Sequence, residues 1–176
     1  DKGMTRQIKA IIFDWGDTLM LDFPHLKGPM AYWEQVEAIP CIKEALETVS
    51  IDYICCVASN AGDLNSEIMG LALNRVDLKK YFRHLFTSRE LGVTKPNLEF
   101  FTKILDNLNL KPEECIMVGN DYEKDIIPAK AVGLHTILFT KENNITVFKS
   151  ADSLISSMDK LSRIIENFNS ATKTKV

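Results

Sequence analysis

The sequence predicts an α/β protein of three layers, with a central, mostly parallel five-stranded sheet and helices on both faces. Two observations carry this. Segments of strand character alternate with segments of helical periodicity about five times along the chain, the order that builds a parallel sheet with crossover helices. The first strand segment, Ile8-Lys9-Ala10-Ile11-Ile12-Phe13, is a short, nearly unbroken apolar run rich in β-branched residues, which suits burial on both faces. It breaks abruptly into Asp14-Trp15-Gly16-Asp17-Thr18. Asp14 therefore stands at the carboxyl end of the strand, the edge at which open α/β sheets bind ligands.

Leu21–Ile39 follows with weak periodicity, two prolines (Pro24, Pro29) and a cluster of Phe23, His25, Tyr32 and Trp33; it reads as a loop with at most one helical turn. Pro40 starts a helix whose apolar face is Ile42, Ala45, Leu46 and Val49. Asp52–Ala58 is the second strand and ends at Ser59-Asn60-Ala61-Gly62. Asp63 reads as the N-cap of a helix to Asn74, with Leu64, Ile68, Leu71 and Ala72 inward. Leu78–His84 is a short helix or turn, and His84–Ser88 a short third strand. Lys95-Pro96-Asn97 opens a helix bearing Phe100, Phe101, Ile104, Leu105 and Leu108. After a turn at Lys111–Glu114, Cys115–Gly119 is the fourth strand, and Asn120-Asp121 leads a helix through Val132 that Gly133 stops. His135–Phe139 is the fifth strand, Ala151–Phe168 an amphipathic helix, and Asn169–Val176 a frayed polar tail.

At 176 residues and a net charge of −3, the chain suits one domain, residues 4–169, with a real core and no basic excess to attract nucleic acid. Asp1-Lys2-Gly3 ahead of Met4 read as an expression remnant. Cys41, Cys55, Cys56 and Cys115 fall in or beside apolar segments without C-x-x-C spacing, and read as reduced core residues of a cytoplasmic protein. No apolar stretch reaches the ~18 residues of a membrane span, and no signal-peptide pattern opens the chain.

Four polar features fall just after successive predicted strands. They are Asp14 with Gly16, Asp17 and Thr18; Ser59-Asn60; Lys95, in the loop beyond the third strand; and Asn120-Asp121 with Asp125. In a parallel sheet these loops share one edge. They supply a carboxylate, a hydroxyl beside backbone N–H groups, a lysine and a second acidic cluster. That inventory is what a phosphoryl group beside a hard cation such as Mg²⁺ requires: positive charge and donors around the phosphate oxygens, and oxygen ligands for the ion.

FDWGDTL, VASNAG, TKPNLEFF and VGNDYEKDI, in this order, resemble the four motifs of the haloacid dehalogenase superfamily of phosphatases and related hydrolases, over about residues 8 to 140. The resemblance implies a Rossmann-like fold, with Asp14 as the nucleophile that forms an aspartyl-phosphate. It implies that Ser59 hydrogen-bonds a phosphate oxygen with help from the backbone N–H of Asn60. Lys95 would neutralise both the phosphate and Asp14. Mg²⁺ would be held by Asp14, the main-chain carbonyl of Gly16 and the Asn120-Asp121 loop, with Asp125 and Thr18 behind them. Each residue also has a plainer reading: Asp14 as a strand end, Thr18 as a turn hydroxyl, Ser59 as a helix cap, Lys95 as a solvated charge. Asp121 and Asp125 would be a cap and a first-turn charge.

Two departures matter. The family's phosphatases usually carry an aspartate two positions after the nucleophile, to protonate the leaving oxygen and then activate water; this chain has Gly16 there and Asp17 next. Losing such a group costs about 10²–10⁴ in rate. Asp17, if its loop turns inward, and His25 are the candidate replacements. Asn120 stands where the family often has a metal-binding aspartate; an amide oxygen still ligates Mg²⁺, with one negative charge fewer.

Between the first motif and the next helix there is room only for a minimal cap, residues 21–39. An open site suits a bulky phosphorylated substrate, such as a modified macromolecule, or a small one enclosed by homo-oligomerisation. The leading expectation is an Mg²⁺-dependent phosphohydrolase cleaving a phosphate monoester or acyl phosphate. The alternative is a catalytically impaired phosphate- or partner-binding protein that lacks the general acid. Carbon–halogen hydrolysis is a third reading, against which the chain lacks the tyrosine that dehalogenases carry two positions after the nucleophile.

Overall fold

The computed structural model describes residues 8–60, 62, 64–141 and 147–171. Six strands form one parallel sheet: β1 (Ala10–Phe13), β2 (Ile54–Ser59), β3 (His84–Thr87), β4 (Cys115–Gly119), β5 (His135–Phe139) and β6 (Ser153–Ile155), in the order β3-β2-β1-β4-β5-β6. β1 lies between β2 and β4, with Phe13 level with Val57 on one side and Val118 on the other. The chain builds outward from β1 to β3, then crosses back to lay β4 on the other side. The crevice at that reversal, where ligands bind in open α/β sheets, opens between the ends of β1 and β4.

Period-two alternation divides the strand residues between two apolar cores. Ile11, Phe13, Cys55, Val57, Ile116 and Val118 face one layer, packed with α1 (Ile42–Asp52), α2 (Ser66–Arg75) and α6 (Leu161–Ala171). Ala10, Ile12, Cys56, Ala58, Cys115 and Met117 face the other, with α4 (Leu98–Leu108) and α5 (Ile127–Val132). A four-residue helix, α3 (Ser88–Leu91), follows β3. Among the described residues no helix is long and apolar enough to cross a membrane.

Several expectations need correction. The sheet has six strands rather than five: the segment expected to be helical from Ala151 starts as β6, and α6 begins only at Leu161. Ile155, Met158, Leu161 and Ile165 keep a helical spacing, which hides the strand. Asp152 decides the matter by joining β5: its carboxylate accepts from Thr136 N–H at 3.0 Å, and its own N–H donates to the Thr136 carbonyl at 3.1 Å. The expected frayed tail is helical to Ala171, and 172–176 lie outside the described residues.

In α2 the inward residues are Met69, Ala72 and Leu73, while Leu71 is exposed. Five apolar residues in six positions left the periodicity without a preferred face. Asp63 lies outside the described residues; the cap of α2 is Asn65, whose side chain accepts from Ile68 N–H at 2.9 Å. Cys55, Cys56 and Cys115 are buried free thiols, but Cys41 is exposed.

Residues 21–39 contain one 3-10 turn, Met30–Tyr32. Both ends are pinned where Leu21 N–H donates to the Glu37 carbonyl (2.9 Å) and Ile39 N–H to the Leu19 carbonyl (2.8 Å). Arg75 at the end of α2 clasps the middle, donating to the carbonyls of Ala31 (3.1 Å), Glu34 (3.0 Å) and Trp33.

Candidate active site

β1 delivers Asp14 to the carboxyl edge of the sheet, and Asp14 N–H still donates to the Val118 carbonyl at 3.0 Å, so its backbone is fixed by β4. Lys95 arrives from the loop before α4. Its ammonium lies 2.7 Å from Asp14 Oδ1 and 2.7 Å from Asp125 Oδ1, and donates a third bond to the Ala58 carbonyl at the end of β2 (3.0 Å). Three donors meet three acceptors, which uses the full capacity of an ammonium. The group is 4 % exposed. Burial pulls the Lys95 pKa down, but the two carboxylates outweigh it and the net direction is up, so the amine stays charged.

Asn60 sets the position of that lysine. Its side-chain amide donates to the Lys95 carbonyl (2.8 Å) and accepts from the Lys95 N–H (2.7 Å), gripping both main-chain groups of one residue. Ser59, the last residue of β2, is nearly buried and pairs in register with Thr87.

The fourth motif folds tightly. A π-helical turn, Tyr122–Ile126, follows Asp121, whose Oδ1 accepts from Lys124 N–H at 3.0 Å. Such turns are rare and concentrate at functional sites. This one sends Asp125 back under β4, where Asp125 Oδ2 accepts from Asp121 N–H (3.2 Å) and Oδ1 meets Lys95. A side chain at Gly119 would collide with the Asp125 carboxylate, so the approach requires glycine there. Burial, then the neighbouring Asp14 charge, push the Asp125 carboxyl up to about 7 against the opposing pull of Lys95.

Asn120 is the fourth-motif side chain that reaches Asp14. One end of its amide lies 3.0 Å from Asp14 Oδ2 and 3.2 Å from both the Gly16 carbonyl oxygen and Thr18 Oγ1. With nitrogen at that end, the two N–H groups of the amide face these three acceptors. With oxygen there, Thr18 donates to it, and the amide oxygen confronts two further oxygens across about 3 Å. Oxygens so spaced fit an edge of the octahedron around Mg²⁺, whose bonds run about 2.0–2.1 Å. The donor set is one carboxylate, one amide and one carbonyl. Among the described residues no cluster of three or more His, Cys, Asp or Glu side chains offers a metal site.

Of the two candidate replacement acids, Asp17 has a left-handed backbone (φ 59°) and an exposed side chain whose Oδ1 accepts from Asp22 N–H at 3.1 Å. His25 is exposed on the 21–39 loop, its ring 6.1 Å from that of Phe23. Sequence reasoning missed the Ala58 carbonyl as a partner of Lys95, because a carbonyl carries no sequence mark. It also missed the grip of the Asn60 side chain, which spans 35 positions of chain.

The chain is similar to known proteins over much of its length. Over 122 residues the chain is 35 % identical to ribulose-1,5-bisphosphate 5-phosphatase of Halopiger xanaduensis, covering 69 % of this chain and 50 % of that one. Over 103 residues it is 36 % identical to glyceraldehyde 3-phosphate phosphatase of Pyrococcus furiosus, covering 56 % and 43 %. The chain thus spans about half the length, or less, of these curated relatives. Among solved structures, an uncharacterized protein from Listeria monocytogenes serotype 4b superposes with a TM-score of 0.79 at 23 % identity, covering 93 % of this chain and 99 % of that one. An HAD phosphatase from Thermococcus onnurineus superposes at 0.77 and 18 % identity, covering 90 % and 98 %. These two likenesses speak to the fold. Residues 11–139 match the family described as haloacid dehalogenase-like hydrolase. With that match over most of its length, the chain belongs to the haloacid dehalogenase-like hydrolase family.

Proposed function

We propose that the protein is an Mg²⁺-dependent phosphohydrolase that cleaves a phosphate monoester or acyl phosphate through an aspartyl-phosphate on Asp14. The observation that carries the reading is the buried ammonium of Lys95, 2.7 Å from Asp14 and from Asp125. A lysine so enclosed is costly to desolvate, and at the ligand-binding edge its charge is available to a dianionic group docking against Asp14. The phosphatase names of two relatives that match this chain point the same way.

In this reading Asp14 Oδ attacks phosphorus while Lys95 holds the carboxylate in place and offsets the phosphate charge. Ser59 Oγ and the Asn60 N–H donate to phosphate oxygens. Asp14, the Gly16 carbonyl and Asn120 would hold Mg²⁺, with Thr18 orienting the Asn120 amide and Asp125 fixing Lys95; Asp121 caps the π-helical turn. Bound Mg²⁺ would supply a second positive charge beside the phosphate.

One feature favours a second reading. Gly16 brings no acid to the position two after Asp14, so a phosphate-binding protein without efficient turnover also fits. Incubation with p-nitrophenyl phosphate separates the two. Turnover that needs Mg²⁺, stops with a chelator and falls at least about 10³-fold in Asp14→Asn supports the enzyme. Absence of turnover with both this ester and acetyl phosphate supports the binder.

A further inference from the structure

The space left by the missing side chain at position 16 is bordered by Asp22. A Cβ built on Gly16 would find its three nearest neighbours all in one residue: Asp22 Cβ and Oδ2 at 3.7 Å, and Asp22 Cγ at 4.0 Å. A carboxylate supplied by a residue six positions later therefore lies in contact with the position that a side chain at 16 would take. The chain holds it there from both sides. Asp17, in its left-handed conformation, donates its N–H to the Met20 carbonyl (2.7 Å) and turns its carboxylate to accept from Asp22 N–H (3.1 Å). On the other side Leu21 is tied to Glu37 (2.9 Å), so the 19–21 and 37–39 segments clamp the backbone leading into Asp22. The side chain of Asp17 is spent on this fastening rather than turned toward Asp14.

We propose that Asp22 is the acid–base catalyst of this site, acting from the volume that Gly16 vacates. The proposal rests on the phosphohydrolase reading above and extends its substrates to alkyl phosphate monoesters. Their leaving alkoxide must take up a proton, whereas aryl and acyl phosphates leave without one. In the first half-reaction Asp14 Oδ bonds to phosphorus and the ester P–O bond breaks. Its electron pair goes to the leaving oxygen, which receives the proton of the Asp22 carboxyl and departs as the alcohol. In the second half-reaction Asp22, now a carboxylate, takes a proton from water. The water oxygen bonds to phosphorus, the Asp14–phosphorus bond breaks with its pair returning to Asp14, and inorganic phosphate leaves. The sum is ester plus water giving alcohol plus phosphate, with both carboxyl groups restored.

The test compares kcat/KM, which reports only the first half-reaction, for p-nitrophenyl phosphate and for glycerol phosphate in the presence of Mg²⁺. Asp22→Asn is expected to lower the glycerol phosphate value by about 10²-fold or more and to leave the p-nitrophenyl phosphate value within about threefold. The side chain is exposed, so the urea midpoint of this variant should equal that of the native protein. Adding Gly16→Asp to Asp22→Ala, which removes the Asp22 carboxyl group, should restore much of the alkyl activity, since the three atoms nearest a Cβ at position 16 all belong to Asp22. The proposal is overturned if native protein turns over the aryl but not the alkyl ester, if Asp22→Asn leaves the alkyl value unchanged, or if it lowers both equally. Native protein inactive on both, or aryl turnover that survives Asp14→Asn, would instead sink the phosphohydrolase reading beneath it.

Discussion

Lys95 answers at the scale of one residue for two carboxylates that would otherwise face each other without a counter-charge. Replacing it by methionine keeps the stem but leaves Asp125 buried and unpaired, a change worth about 3–5 kcal/mol of stability. Protonation of Asp125 relieves the strain, which gives the prediction a sign. Asp125 already stands at about 7, above the ordinary carboxyl value, and loss of the ammonium moves it further up. A carboxyl raised on folding binds its proton more tightly in the folded state, so stability falls as pH rises from the unfolded value near 4 through the folded one. In metal-free protein, the deficit of Lys95→Met against native in urea denaturation should be larger at pH 8 than at pH 5. Lys95 and Asp14 were legible as chemistry because each follows a strand or opens a helix within a recognisable motif. Asp22 was not: an aspartate in a proline- and aromatic-bearing loop has no local signal, and only the turn at Asp17 brings it to Gly16.

At the scale of elements, periodicity located what burial enforces. The inward face of α1 (Ile42, Ala45, Leu46, Val49) is the one its spacing gives, and β4 and β5 have the expected bounds. Where apolar residues surround a helix, as in α2, or where one spacing serves two structures, as around β6, the pattern is silent about the choice. The strands also settle the thiols. Burial pushes Cys55 and Cys115 up to about 12, and Cys56 upward as well, while Cys41 lies exposed ahead of α1. Because the thiolate is the reactive form, a disulfide reagent such as dithionitrobenzoate should titrate one thiol in native protein and four after denaturation. Cys41→Ser should abolish the native reaction and leave three in denaturant.

At the scale of the whole molecule, the reversal of strand order at β1 and β4 positions the candidate site, and the clasp of Arg75 holds the 21–39 segment. Three main-chain carbonyls of residues 31–34 depend on that one guanidinium. Arg75→Ala should therefore loosen the 21–39 segment while leaving the sheet intact. Tryptic cleavage after the exposed Lys27 is expected to accelerate about tenfold or more, with a global urea midpoint close to native. Equal cleavage rates would mean that the pinned ends, at Leu21 and Ile39, suffice to hold the segment.

The class of fold is legible in the sequence, and so are the four strand-end loops that carry the candidate residues. Strand burial and helix periodicity are local properties, and local properties are written in runs of a few residues. The tertiary structure alone decided which oxygens meet. Asn120 faces Asp14 across 106 positions, Asn60 grips Lys95 across 35, and Asp22 borders the room beside Gly16. Such contacts depend on sheet order and turn geometry, which no short stretch of chain encodes.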